Sequence, residues 1–513
     1  MTRSHGYRAT TRTTERERSL SKLVGLFIAL ALIASACSSD AVDQTAPVDE
    51  ADQVEPEIVE DEELTTATSP STPEITTTTG APATTTTRPD FAGSAITVGV
   101  RENPTMDLIR EITDEFFTLP TGIEVQFVDI PPEMTFRDFE TGIVRGPSFD
   151  ALMIDPFETP QVGANGWVHD LAPFAIEDEG YDLAGFIPST IEANSTNDGL
   201  FAVPFYAEST MIMYNQQIID DAGIDFPEAP TWQQVADIAR QLDTDETTGI
   251  CLNGIAEWDQ LGAALTTVVN TFGGTWWEAN EDGTPGEAQI DQPDSGFRAA
   301  TELYLSLAAD AGPDNFTQTG FDQCNEQFQN GEVAIWYGTT AAPPSLESEG
   351  SVMAGNVGYA RAPIDQTDAS GALWTWGLTL PIGGGRPDAG WEFIRWATSP
   401  DTIQVMAEQA PGGWTDPAVV GAATRNSHFD IPAFAEATEP YIDIVFDELN
   451  AADPNNPGTT PRPGLPGVQY VGIPEFQQVA TDCSTELSAA VNGSIAVDEA
   501  LNTCQDIASE VTQ

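Results

Sequence analysis

Residues 96–128 read ITVGVRENPTMDLIREITDEFFTLPTGIEVQFV, a run that contains one complete strand–helix–strand unit. The opening ITVGV is short and almost wholly apolar, which is typical of a strand buried on both faces. Apolar side chains then recur at three- and four-residue spacing (Met106, Ile109, Ile112, Phe116), the period of a helix with one buried face. The closing IEVQFV alternates and predicts a second strand. We therefore predict an α/β protein built on an open parallel sheet.

Polar side chains follow the ends of the predicted strands. Glu102 and Asn103 come after the first strand, and Asp155 follows a third strand predicted over 150–154, which a further helix precedes. Ligands of open parallel sheets bind beyond the carboxyl ends of the strands, so these three residues are candidates for a binding site. The alternatives are local roles. Glu102 and Asn103 would cap the next helix, and Asp155 would form a turn before Pro156.

The remainder of the chain predicts two lobes. From about Thr210 to Tyr359 the sequence is richer in helix, and strand character then returns. Helices are predicted over 232–242, 258–272, 297–309 and 322–330. Lobe 1 is predicted to comprise residues 95–206 and 357–400, and lobe 2 residues 207–356 and 401–513. A chain that crosses repeatedly between lobes forms a hinge, and the cleft beside a hinge closes on a ligand.

Composition and charge exclude several functions. The 513 residues contain 81 Asp and Glu against 18 Lys and Arg, a formal net charge of −63. Nucleic-acid binding needs clustered Lys and Arg, so no nucleic-acid partner is expected. The only lysine is Lys22, which excludes a Schiff-base or phosphate-loop lysine from the body of the protein. The three His are too scattered for a zinc site or a His-based triad, and neither a metal nor a cofactor is expected.

The N-terminus carries export signals. Basic residues up to Lys22 precede an apolar run over 23–33, which is shorter than the roughly 20 residues that span a bilayer. Ala34-Ser35-Ala36-Cys37 resembles a bacterial lipobox, so residues 1–36 are predicted to be a lipoprotein signal peptide and Cys37 the lipidated N-terminus. The alternative is an ordinary secretory signal cleaved after Ala36. Residues 37–94 predict a disordered acidic, Thr- and Pro-rich tether, and 95–513 the folded body.

Cysteine use agrees with export. Apart from Cys37 there are four cysteines, which suggest two disulfides in an oxidising compartment, although three pairings are possible. Cys483 and Cys504 lie in two helix-like segments joined by Asn492-Gly493, which favours a Cys483–Cys504 bond. Cys251–Cys324 then follows by elimination. Free buried thiols are the alternative.

Short segments spread over most of the body follow one family's pattern. They are TGIEV (121–125), GPSFD (146–150), GWVHDL (166–171), VPFYAES (203–209), YN (214–215) and NTFGG (270–274). Together they resemble the extracellular solute-binding proteins of carbohydrate-type ABC importers. A narrower likeness, to sorbitol- and mannitol-binding members, lies in GICL (249–252), GEVAIW (331–336), WTW (374–376) and YVGIPEF (470–476). Two positions depart from the pattern: Gly338 stands where Asp is expected, and Trp414 where Arg is expected.

The resemblance implies a two-lobed, periplasmic-binding-protein-like (type II) fold with a hinge and an interlobe cleft. It implies a non-enzymatic, extracytoplasmic monomer that meets the cell membrane only through its lipid anchor. Such a receptor captures a sugar or sugar alcohol by lobe closure and delivers it to ABC permease subunits driven by a cytoplasmic ATPase. Two alternatives remain: a secreted glycoside hydrolase, which also needs carboxylates among aromatic residues, and a binding protein that feeds a chemosensory receptor.

Sugars and sugar alcohols present hydroxyl groups and apolar C–H faces, so their sites combine aromatic walls with fixed polar groups. Trp374 and Trp376 alternate along one strand and share a face, which either lines the cleft or packs against a helix. Glu208 lies at the predicted first crossing between the lobes. The predicted ligand-binding residues are Glu102, Asn103, Asp155, Tyr206, Glu208, Trp258, Trp336, Trp374, Trp376 and Trp414.

Overall fold

The structure is a computed structural model that describes residues 91–131, 134, 148–348, 350–369 and 371–512. The predicted signal peptide, Cys37, the tether up to residue 90 and the helix predicted before Asp150 lie outside the described residues. Within these ranges, no helix combines the length and the apolar character needed to cross a membrane.

The strands of the described chain are numbered in chain order. They are β1 (Ser94–Val100), β2 (Ile123–Asp129), β3 (Ala151–Ile154), β4 (Ser195–Thr196), β5 (Gly199–Leu200), β6 (Val203–Glu208), β7 (Thr210–Asn215), β8 (Thr248–Cys251), β9 (Trp277–Ala279), β10 (Pro285–Ala288), β11 (Val333–Thr339), β12 (Val357–Arg361) and β13 (Trp374–Thr379).

Helices connect and cover these strands. The α-helices span Pro104–Thr113, Leu119–Thr121, Glu158–Ala164, Ala172–Glu177, Pro188–Glu192, Gln216–Ala222, Trp232–Leu242, Ala263–Thr271, Gly296–Ala311, Phe321–Gln329, Pro343–Leu346, Pro387–Ala397, Pro400–Gln409, Pro417–Gly421, Asn426–Phe429, Pro432–Thr438, Ile442–Ala451, Phe476–Val491 and Val497–Glu510. Asp114–Thr118 and Trp258–Gly262 are π-helical, and Leu183–Gly185, Phe316–Gln318 and Gly413–Thr415 are 3₁₀ turns.

The first lobe is built on a five-stranded sheet with the order β2-β1-β3-β13-β6. β1 runs parallel to β2 and β3, as the strand–helix–strand pattern predicts, whereas β13 runs antiparallel to both of its neighbours. The prediction of a parallel sheet is therefore wrong for β13. This strand enters from the second lobe instead of returning over a helix, so the right-handed crossover that makes neighbouring strands parallel is absent.

Helices cover this sheet and bury the predicted apolar face. Ile109 and Ile112 are buried in one core with Phe117 and Phe393. Phe116, the last residue of the predicted helical stripe, is only partly buried, because a π turn over Asp114–Thr118 shifts the face that the chain presents to the sheet.

The second lobe is built on a four-stranded sheet with the order β12-β7-β11-β8, in which β8 and β11 alone are parallel. Its core holds large aromatic side chains, including Trp276, Trp277 and Phe297. Both predicted disulfides are present: Cys251–Cys324 ties the end of β8 to a helix, and Cys483–Cys504 joins the last two helices.

Two crossings between the lobes differ from the predicted boundaries. β12 pairs with β7 in the second sheet, so residues 357–361 belong to lobe 2 rather than lobe 1. The helix Pro400–Gln409 packs into the core of lobe 1 through Ile403 and Met406, so the predicted boundary at 401 is also too early. A strand pattern does not state which sheet the strand joins, and a helical pattern does not state which core its apolar face enters, which is why both boundaries were misplaced.

The hinge is held by hydrogen bonds between crossing segments. β6 ends at Glu208 and β7 begins at Thr210, so Ser209 alone links the two sheets there. The Ser209 hydroxyl donates to the carbonyl oxygen of Ala372, 2.6 Å away on the second crossing. The backbone of Ser209 also exchanges hydrogen bonds with Thr340, just after β11. The two crossings therefore bend at one shared point.

Candidate functional site

A cavity of about 530 Å³ lies beside the hinge, with walls from both lobes. Lobe 1 contributes residues from β6, β13 and the starts of two helices, and lobe 2 contributes the larger share. The lining residues are Pro104, Tyr206, Glu208, Ser209, Thr210, Asn253, Asp259, Gln260, Ala263, Ala264, Thr267, Phe321, Asn325, Trp336, Tyr337, Gly338, Thr339, Ala341, Ser345, Ala372, Trp374, Pro417 and Gln469. Four predicted site residues are among them: Tyr206, Glu208, Trp336 and Trp374.

Glu208 is the acid at the hinge wall of the cavity. Its Oε2 accepts a hydrogen bond from the Tyr206 hydroxyl at 2.9 Å and another from the Thr339 hydroxyl at 2.5 Å, one donor from each lobe. Burial raises the pKa of the Glu208 carboxyl, and the hydrogen bonds from Thr339 and Tyr206 oppose that rise because they stabilise the carboxylate. The carboxyl group is thus fixed in position, with Oε2 occupied by protein donors.

Trp374 and Trp376 have different surroundings although both lie on β13. Trp374 pairs with Glu208 across the ladder and lines the cavity, whereas Trp376 pairs with Tyr206 and is absent from the cavity wall. The two indoles lie edge to face, with ring centroids 5.8 Å apart, and both pack partly on the core of lobe 1. On this strand face, Trp374 therefore forms part of the cavity wall and Trp376 packs against Trp374.

Trp336 lies on β11, in the part of the wall that lobe 2 contributes, and is fully buried between Phe321 and Phe328. Its indole rests on Gly338: a Cβ at position 338 would stand 2.6 Å from Trp336 Cε2. The glycine found where Asp was expected is thus required by the position of the ring. Any side chain at 338 would displace the indole.

A π turn places two polar residues that sequence reasoning did not select. Asp259 and Gln260 lie in the π-helical segment Trp258–Gly262 and both line the cavity. Asp259 is exposed as a residue, but its carboxyl group is partly surrounded by protein. This burial, together with the negative charge of Glu257, raises the pKa of Asp259. π turns often occur at functional sites, because the extra residue turns side chains out of the helical register.

Asn253 and Asn325 are two further residues that were missed. Asn253 lies two positions after Cys251, and Asn325 directly follows Cys324, so the disulfide links the two chain segments that bring these amides to the cavity wall. A signal existed for Asn253, because it lies just beyond the carboxyl end of β8. Asn325 lies within a helix and has no comparable signal.

An aromatic cluster joins the lobes next to the cavity. Phe157, which follows β3 in lobe 1, is 6% exposed and belongs to the core of lobe 2. Its ring centroid lies 5.6 Å from that of Trp258 and 5.3 Å from that of Tyr470. Trp258 also contacts Trp374, at 6.2 Å between centroids. Trp258 is not among the described lining residues, but it packs against Trp374, which lines the cavity.

Asp155 lies in the same junction rather than in the cavity wall. It is 8% exposed, and one carboxylate oxygen accepts the backbone N–H of Glu158 at 2.7 Å, which is the turn-forming role left open by the sequence. Burial raises the pKa of Asp155, while the charge of Arg101 and backbone N–H groups oppose that rise.

The other predicted site residues also lie away from the described cavity wall. Glu102 is exposed. Asn103 caps the helix Pro104–Thr113, accepting the backbone N–H of Met106 at 3.1 Å, which is the alternative local role. Trp414 packs against Phe434, 5.9 Å between ring centroids. None of these three residues is part of the described cavity wall.

Comparison with known proteins agrees with this architecture. A family model described as a bacterial extracellular solute-binding protein matches residues 103–404. The mannitol-binding protein of Pseudomonas aeruginosa is 30% identical over 416 residues, which cover 80% of this chain and 91% of that protein. The erythritol/L-threitol-binding protein of Mycolicibacterium smegmatis is 24% identical over 359 residues, 66% of this chain and 72% of that protein.

A solved structure extends the comparison to three dimensions. The ABC transporter solute-binding protein from Agrobacterium vitis, with bound D-mannitol, has a TM-score of 0.70 and 31% identity, covering 82% of this chain and 98% of that one. The predicted two-lobed type II fold is confirmed, and these relatives are binding proteins rather than enzymes. The chain therefore belongs to the family of bacterial extracellular solute-binding proteins.

Proposed function

We propose that this protein is the lipid-anchored substrate-binding component of an ABC importer and that its ligand is an acyclic sugar alcohol. The observation that carries the proposal is the pairing of Glu208 and Trp374 on adjacent strands in the wall of the interlobe cavity. A carboxylate oxygen accepts hydroxyl protons, and an indole face packs against C–H groups. A sugar alcohol offers both kinds of surface along its whole length.

The remaining wall suits a ligand rich in hydroxyl groups. Asn253, Asn325 and Gln469 contribute amides to the lining. Two buried polar atoms in lining residues, Gln260 Oε1 and Trp336 Nε1, have no hydrogen-bond partner among the described residues. A hydroxyl group both donates and accepts, so it can serve an unpaired acceptor as well as an unpaired donor. Relatives named for mannitol and for erythritol or L-threitol favour the acyclic form.

Lobe closure provides capture and release. The Phe157 cluster shows that contacts between the lobes form directly beside the cavity, so closing them encloses whatever the cavity holds. The closed receptor then presents both lobes to the permease pair, whose cytoplasmic ATPase drives import. This delivery step follows from membership of the family.

A ligand panel tests the binding proposal. Thermal shift and calorimetry with mannitol, sorbitol, ribitol, erythritol, glucose and maltose should give the largest stabilisation with an alditol. At 100-fold excess over Kd a ligand adds about 2.7 kcal/mol, a rise in Tm of roughly 2–4 °C for a body of this size. Stabilisation by maltose or glucose with no response to any alditol would contradict the proposal.

The anchor is tested separately, since Cys37 lies outside the described residues. Cys37→Ser should release the protein from the membrane fraction without changing its melting temperature or its ligand affinity. A Cys37→Ser protein that stays membrane-bound after a high-salt wash would refute lipidation at this residue.

A further inference from the structure

The charged side chains in the described cavity wall all carry one sign of charge. Glu208 and Asp259 are the acids, and among the described lining residues there is no Arg, Lys or His. The residues that surround the pocket therefore offer no counter-ion to an anionic ligand. They also leave the two carboxylates without a basic partner in the wall.

One carboxylate oxygen of Glu208, Oε1, can still accept a hydrogen bond. Both described side-chain donors, Tyr206 and Thr339, bond to Oε2, and no described hydrogen bond reaches Oε1. No described ion pair involves Glu208. Because the carboxyl group lines the cavity, Oε1 is free to accept from a ligand.

The aromatic wall adds a second attraction for positive charge. Trp374 lies directly across the ladder from Glu208, so a group bound at Glu208 Oε1 lies near an indole. Cations are attracted to indole faces, whereas anions are repelled by them. Glu208 and Trp374 therefore favour the same charge.

We propose that the cavity selects its ligand by charge, accepting amino-substituted polyols, as ammonium ions, alongside neutral polyols, and rejecting the corresponding polyol acids. This inference rests on the proposed polyol-binding function and extends it to a further class of ligand. An ammonium group replaces a terminal hydroxyl and donates to Glu208. A carboxylate in the same place meets a like charge. Two like charges about 6 Å apart weaken binding by a factor of about 100 at an effective dielectric constant of about 20.

The test uses the full chain and three six-carbon ligands that differ only at C1: D-mannitol, 1-amino-1-deoxy-D-mannitol and D-mannonate. Calorimetry at pH 7 should find the amine bound as tightly as mannitol or up to about tenfold tighter, and mannonate about 100-fold weaker. A Kd for mannonate within tenfold of the Kd for mannitol would overturn the inference, and so would a Kd for the amine more than tenfold above that for mannitol. Either result would leave the proposal of polyol binding intact. Failure of all three to bind overturns the proposed function, and charge selection with it.

Variants assign the effect to the cavity. Glu208→Gln keeps the side-chain shape and removes the charge, so the affinity ratio of mannitol to mannonate should fall by most of this factor, about 30- to 100-fold. Asp259→Asn should lower the same ratio by a smaller factor, because Asp259 is the more exposed acid. Asp388→Asn is the matched control, since it removes one charge from an exposed helix start outside the cavity wall. An equal change of the ratio in the control variant would refute selection by the cavity acids.

Discussion

The contrast between Trp374 and Trp376 gives the sharpest test of the aromatic wall. Both indoles lie on β13, both are partly buried and both pack on the core of lobe 1, but Trp374 alone lines the cavity. Substituting each by Ala removes the same number of atoms from neighbouring positions on one strand face. Trp376→Ala is therefore a matched control for Trp374→Ala.

The expected magnitudes follow from the surface that each ring offers. A ligand lying on the Trp374 face would cover about 80 Å², which at about 25 cal/mol per Å² is about 2 kcal/mol, or a roughly 30-fold increase in Kd. Trp376→Ala should change Kd by less than about threefold, because its ring reaches the ligand only through Trp374. Each variant should lose about 2 kcal/mol of unfolding free energy, roughly half the usual cost for a fully buried aromatic side chain.

Calorimetry with D-mannitol gives the affinities, and urea unfolding of the unliganded protein gives the stabilities. Comparing the two variants cancels the common loss of packing against lobe 1. Equal losses of affinity in both variants, or an unchanged Kd in Trp374→Ala, would show that the indole is structural and that the proposed wall does not contact the ligand.

Three further measurements test the surroundings of the site. Phe157→Ala removes the ring that enters the core of lobe 2. The closed population of the unliganded protein should fall, so its radius of gyration in solution scattering should increase and its apparent Kd for D-mannitol should rise about three- to tenfold. An unchanged radius of gyration and an unchanged Kd would contradict this role of Phe157. Removing the Cys251–Cys324 disulfide should weaken mannitol binding, because that bond positions Asn253 and Asn325. Removing the Cys483–Cys504 disulfide should instead lower the free energy of unfolding by about 3 kcal/mol and have little effect on the Kd. Equal effects of the two changes on the Kd would refute this distinction. Burial, with the nearby charge of Arg425, lowers the pKa of His428 to about 3 from its ordinary 6.5, so the neutral ring stabilises the fold fully above pH 6.5 and this contribution is lost as the pH falls toward 3. When the pH is lowered from 7 to 4.5, the free energy of unfolding of His428→Leu should therefore fall by about 2–3 kcal/mol less than that of the unsubstituted protein. Parallel pH profiles of the two proteins in urea unfolding would show that His428 does not titrate as expected.

Local sequence patterns predicted the parts of the fold that depend on near neighbours. The strand–helix–strand unit from Ile96 to Val128 forms as predicted, because hydrophobic periodicity and the buried faces it creates are local properties. The two disulfides were also predicted: the spacing of Cys483 and Cys504 in adjoining helices favours their bond, and Cys251–Cys324 then follows by elimination. Asn103 and Asp155 took the local roles that their neighbours favour, a helix cap and a turn.

Tertiary structure decided what lies in the cavity and which sheet each strand joins. Tyr206 and Trp374 are 168 residues apart in sequence yet share two neighbouring strands at the hinge, with Glu208 paired directly to Trp374. Nothing local distinguishes Trp374 from Trp376, or assigns β12 to the second sheet, because both depend on hydrogen-bonded partners far along the chain. Asp259 and Gln260 reach the cavity through a π turn whose register is set by packing against the helix Phe476–Val491. Periodicity thus determined the elements, while long-range pairing and packing determined which side chains meet around the cavity.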